Sequence, residues 1–97
     1  MSIIVLIRYH MGNEVIYMKA KHAGAYLQLG LKIAYYRKLR GLTQEQLAEQ
    51  VGLTPAFIGH VEAPNIKKAI SMDTLFDIAE VLEVPPHKFL LFDPEDL

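Results

Sequence analysis

Few residues in this 97-residue chain have the means to do chemistry. Its four histidines, His10, His22, His60 and His87, stand at no metal-ligand spacing. It has no cysteine, which excludes a disulfide framework and a cysteine-ligated zinc site. No carboxylate pair, nucleophile–base set or phosphate-cradling loop is placed for catalysis, so neither an enzyme nor a cofactor is expected. What remains is non-covalent. In the stretch GLTQEQLAEQVGLTPAFIGHVE, Gly41 to Glu62, the segment after Thr54 reads as a helix. At about 100° per residue, Ile58 and Val61 point to one side, Ala56 and His60 to the opposite side, and Phe57 to the flank. A methyl, an imidazole and a ring on such a surface can make apolar contacts and a hydrogen bond. They do not by themselves break covalent bonds.

Those side chains need elements that hold them out. Thr43 followed by Gln46 is a capping box, and Leu42 with Leu47 forms a hydrophobic staple across the same helix start. Gly52 ends that helix. After Gly52-Leu53-Thr54 a second helix starts, with Thr54 as cap and Pro55 in the first helical position. A third start follows at Ser71, with Leu75, Ile78, Ala79 and Leu82 on one face. Upstream, helical texture runs from Tyr26, with Leu29, Ile33, Tyr36 and Leu39 on one face and Gly41 as a left-handed stop. Pro85-Pro86 halts the third-start helix and opens a short last one through His87–Phe92. Phe89, Leu90, Leu91 and Phe92 either complete the core or form a dimer contact, with at least two of them in the core. A three-residue glycine-containing turn between two anchored helices is the helix-turn-helix plan, whose use is to prop one helix into a groove.

Residues 1–25 form an N-terminal extension. Two β-rich runs, Ile3–Tyr9 and Glu14–Tyr17, flank Met11-Gly12-Asn13, which suggests a short β-hairpin. The helical domain spans 26–92, and 93–97 is a polar tail. The apolar run Ile3–Ile7 is too short for a bilayer and lacks the form of a signal peptide, so the expectation is a cytoplasmic protein with no membrane partner. The formal net charge of −1 conceals segregation. Residues 1–31 carry +2 and residues 32–68 carry +3, whereas residues 69–97 carry Lys88 against seven acids. A basic stretch with acids sequestered elsewhere suits a polyanion partner.

The string LTQEQLAEQVGLTPAFIGHVE, with IAYYRKLRGLTQ before it and SMDTLFDIAEVLEV after it, resembles the lambda-repressor/Cro-like, or Xre-type, helix-turn-helix family from about Ile33 to Leu91. The resemblance implies an all-α, compact five-helix DNA-binding domain, usually dimeric, that regulates transcription. It implies that Thr43 and Gln44 lie at phosphate, with Gln44 also bracing the reading helix. It places Thr54, Pro55, Ala56, Phe57 and His60 toward the groove. These offer no arginine, asparagine or glutamine for two-bond base reading, so thymine-methyl contacts, one bond from His60 and shape readout are expected. Arg37 and Glu62 match a pair that forms an internal salt bridge. The loop after Glu62 is about two residues longer than the family's short version, and its Asn65, Lys67 and Lys68 are suited to phosphate.

The expected function is therefore a sequence-specific regulator that binds double-stranded DNA, a dimeric repressor acting as a homodimer. The alternative is an antitoxin-type protein that pairs with a protein partner through its N-terminal strands and autoregulates its operator.

Overall fold

The helix starts are built as their sequences dictate. The Thr43 hydroxyl accepts from the Gln46 backbone N–H at 3.0 Å, and the Gln46 side chain accepts from the Thr43 N–H at 2.8 Å. The Thr54 hydroxyl accepts from Phe57 N–H, and Ser71 accepts from Thr74 N–H, each at 3.1 Å. Such caps satisfy backbone donors that the first helical turn leaves unpaired, each worth about 1 kcal/mol.

The computed structural model describes residues 6–11, 14–66 and 68–92. Strands β1 (Leu6–Met11) and β2 (Glu14–Lys19) pair antiparallel from Leu6 opposite Lys19 to Met11 opposite Glu14. Ile3 to Val5, assigned above to the first run, and Gly12 and Asn13 of the turn lie outside the described residues. A 3-10 turn, Ala20–His22, leads into helix α1 (Ala23–Leu39). Then come α2 (Gln44–Val51), α3 (Pro55–Glu62) and α4 (Met72–Leu82).

Two boundaries differ from the sequence reading. Helix α1 starts at Ala23, which is buried, rather than at Tyr26. The expected fifth helix is a 3-10 helix, Pro86–Leu90, so the described residues hold four α-helices. Five residues opened by proline are too few to repay the start of an α-helix, and the tighter i→i+3 turn serves instead. Helix α4 has already ended before the prolines. Glu83 takes a left-handed conformation with φ 56°, and its N–H bonds back to Glu80.

The core lies where the four helices converge. Ile33, Leu47, Ala48, Ile58, Ile78, Leu82 and Phe89 are fully enclosed. Leu42 and Leu53, the residues before the two caps, pack on that core from outside. Phe89 meets Tyr36 edge to face, and Phe92 packs against the core, while Leu90 and Leu91 are exposed. Among the described residues no helix is long and apolar enough to cross a membrane.

Candidate nucleic-acid interface

Helices α2 and α3 are joined by Gly52-Leu53-Thr54. Gly52 adopts φ 73°, a region open to glycine at little steric cost, and the Leu53 N–H reaches back to Ala48 O at 2.9 Å. The turn is thus fixed by backbone bonds and by a cap on its far side. Helix α3 then divides along its length. Phe57, Ile58, Val61 and Glu62 are buried, whereas Pro55, Ala56 and His60 are exposed, as is the capping Thr54.

Phe57 departs from its expected place. The ring is 8% exposed and belongs to the core, so it is not offered to a groove in this conformation. The inward arc of α3 is wide enough to take residues 57, 58 and 61 together. The Lys68 ammonium lies 5.3 Å from the Phe57 ring centroid, a cation–π distance that closes over the buried ring. Asn65 is exposed on the following loop, and Lys67 lies outside the described residues.

Three helices are locked to one another beneath the exposed face. Arg37 of α1 grips Glu62 of α3 with two parallel bonds, Nε to Oε2 at 2.7 Å and Nη2 to Oε1 at 2.8 Å. Its Nη1 donates to Leu42 O at 2.7 Å. Gln44, at the start of α2, donates from Nε2 to Glu62 Oε1 at 3.0 Å. The carboxylate therefore takes bonds from two helices while sitting on a third. Only 9% of the Arg37 side chain and 4% of the Glu62 side chain is exposed, so the pair is strongly shielded from solvent. The hydrogen bond to Glu62, reinforced by its charge, raises the Arg37 pKa above its ordinary value against the opposing cost of burial. Gln44 thus has its amide committed to the brace. Thr43 is exposed, with its hydroxyl engaged in the cap.

Sequence reasoning missed two positioning residues. Gly30 of α1 faces Val61 so closely that a Cβ there would stand 1.8 Å from the Val61 carbonyl oxygen. Arg40 donates from Nε to Leu82 O at 2.6 Å and from Nη2 to Glu83 O at 3.0 Å, which satisfies carbonyls at the end of α4. The signal for Gly30 was present as a glycine inside a helix, a position that costs stability unless another backbone comes close. Among the described residues no group of His, Asp or Glu could hold a metal ion.

The model of the helix-turn-helix family HTH_3 matches residues 33–89. The chain belongs to the helix-turn-helix family. Several solved helix-turn-helix structures resemble it. The restriction-modification controller protein C.AhdI from Aeromonas hydrophila is 26% identical, with a TM-score of 0.64, over 70% of this chain and 96% of that one. SinR, the master regulator for biofilm formation, solved in complex with DNA, is 30% identical over 65% of this chain and 98% of that one, with a TM-score of 0.60. SinR, from Bacillus subtilis, is also solved in a complex with SinI, at 30% identity and a TM-score of 0.62, over 71% of this chain and 66% of that one. No curated protein matches the chain.

Proposed function

We propose that this protein is a DNA-binding transcriptional regulator that acts as a dimeric repressor on paired half-sites, with α3 as the helix that enters the major groove. The observation that carries this reading is the exposed row of Pro55, Ala56 and His60, held out from the core by the Arg37–Glu62–Gln44 lock. Similarity to SinR, whose structure with DNA is known, supports it. His60 supplies the hydrogen bond to a base edge, and Ala56 packs on a thymine methyl. The buried Phe57 shapes α3 from within rather than reading bases. Thr43, Thr54, Asn65, Lys67 and Lys68 hold phosphate, and Gln44 serves as the brace. Repression is steric: bound at an operator, the protein denies the site to polymerase.

Duplexes selected from a random pool give the operator, and two variants then separate the roles. His60→Ala should weaken operator binding about five- to tenfold with little effect on random duplex, the loss of one hydrogen bond. Lys68→Gln should weaken both and reduce the slope of log affinity against log salt by about one. Equal losses on both duplexes for His60→Ala would remove it from base reading.

Partner pairing through β1 or β2 is a second reading, favoured by a sheet that, among the described residues, has two strands, so that each has an outer edge to which a strand can add. A co-purifying protein that is lost when residues 1–18 are removed would establish it.

A further inference from the structure

Protein interiors pack as densely as organic crystals, and hollows much larger than a water molecule are few. Yet an apolar cavity of about 510 Å³ opens between the first turns of α1 and the start of α4, with Leu90 and Phe92 on its third side. Its floor is the core itself, since Leu29, Ile70 and Leu75 line it and are otherwise buried. Met72 and Leu90 also line it and are half-exposed, which places two large apolar side chains at its rim. Water is a poor tenant here. At about 30 Å³ per molecule there is room for roughly fifteen waters, and each wants two to four polar partners that such walls do not supply. A volume of this size is that of a small-molecule site.

The lining also sets the chemistry of a guest. Three of its side chains can hydrogen-bond: His22, Tyr26 and Ser71. The Ser71 hydroxyl is spent on Thr74, accepting from its N–H and donating to its hydroxyl, each at 3.1 Å. The His22 imidazole and the Tyr26 phenol have no hydrogen-bond partner among the described residues. Both come from the end of the 3-10 turn and the first turn of α1, so they mark one side of the cavity. Among the described residues that line it there is no Asp, Glu, Lys or Arg. A charged guest would give up its hydration and meet no opposite charge.

We propose that this cavity is a binding site for an uncharged, largely apolar small molecule that carries one hydrogen-bonding group, its apolar body on Leu29, Ile70 and Leu75 and its polar group at His22 and Tyr26. The site stands apart from the DNA-binding reading. Among the described residues that line it, none belongs to α2 or α3, so a guest leaves the row of Pro55, Ala56 and His60 uncovered.

Titration of the full chain with 2-naphthol, followed by the probe's fluorescence and by amide NMR shifts, tests this. One molecule should bind per chain with a dissociation constant of about 0.1 mM. The shifted amides should cluster at Ala25, Leu29 and Leu75. 2-Naphthoate, of nearly the same shape but charged at neutral pH, should bind at least about tenfold more weakly. Ala25→Phe fills the cavity and should weaken 2-naphthol at least about tenfold, with circular dichroism confirming the fold. If that variant does not fold, Met72→Trp, at the rim, takes its place. His22→Ala/Tyr26→Phe should weaken 2-naphthol about fivefold more than naphthalene, which has no hydroxyl. Equal losses on those two probes would overturn the class of guest named. Shifts spread over α2 and α3, naphthoate binding as tightly as naphthol, or a folded blocking variant that binds at full strength would overturn the site. So would binding that emerges only once residues 93–97 are removed, since the cavity would then be the seat of the chain's own tail. A chain that takes up 2-naphthol but shifts no duplex in a gel leaves this site standing and removes the regulator reading. A chain that shifts duplex but takes up no probe does the reverse.

Discussion

Gly30→Ala should leave the protein at least about 3 kcal/mol less stable, or unfolded at 37 °C. Helix propensity argues the other way. In the middle of a helix, glycine costs roughly 0.5–1 kcal/mol relative to alanine, so the substitution would ordinarily stabilise. Contact decides against propensity here. The added Cβ would stand 1.8 Å from Val61 O and 2.9 Å from Val61 C, both backbone atoms that no side-chain rotation can clear. Helices α1 and α3 must therefore move apart, which loosens Ile33, Ile58 and Val61 in a core with no slack. The displacement also moves Glu62 away from Arg37, since Glu62 follows Val61 on the same helix. A small domain has only about 5–15 kcal/mol in hand, so this loss is large. A urea titration followed by circular dichroism measures it. A midpoint equal to or above the wild type would mean that α1 and α3 are not in contact at Gly30.

The same glycine marks the edge of what the sequence discloses. Helix starts were readable because the residues that make them lie three positions apart, as with Thr43 and Gln46 or Ser71 and Thr74. The stops at Gly41 and Gly52 were readable for the same reason, both at φ 73°. Contacts across the chain were not readable from periodicity. Arg37 and Glu62 stand 25 positions apart, and only resemblance to a known family joined them in advance. Arg40 meets Leu82 across 42 positions with no local sign. Gly30 carried a sign without an address, because its reason lies on α3.

Phe57 failed differently. The helical wheel gave its direction to within a flank, and the width of the core decided the rest. On an eight-residue helix a shift of one arc moves a residue from groove to interior. That shift changes the candidate reading surface more than any other difference, since it leaves His60 as the side chain with hydrogen-bonding capacity between Pro55 and Val61 on the exposed face.

Arg37→Ala should cost about 3–5 kcal/mol, and Glu62→Ala a similar amount, because each strands a buried charge. In the first variant the Glu62 carboxylate keeps only the Gln44 amide at 3.0 Å, in a site where 4% of it meets solvent. In the second, the guanidinium keeps Leu42 O and loses both bonds to the carboxylate. Neither loss equals the worth of the pair. Replacing both partners by apolar residues of similar size, Arg37→Met with Glu62→Leu, removes the two desolvated charges together and should be far less damaging than the sum of the single losses. Stability and binding then part company. The double variant regains a core but has no carboxylate for Gln44 to hold, so α2 and α3 lose the bond that fixes their relative placement. Its melting temperature should lie well above those of the single variants, while operator affinity stays below that of the wild type. If the double variant is as unstable as the sum of the singles, the bidentate bond itself, rather than the stranded charge, sets the cost. If it binds operator at full strength, the lock under α3 is structural alone and does not position the reading face.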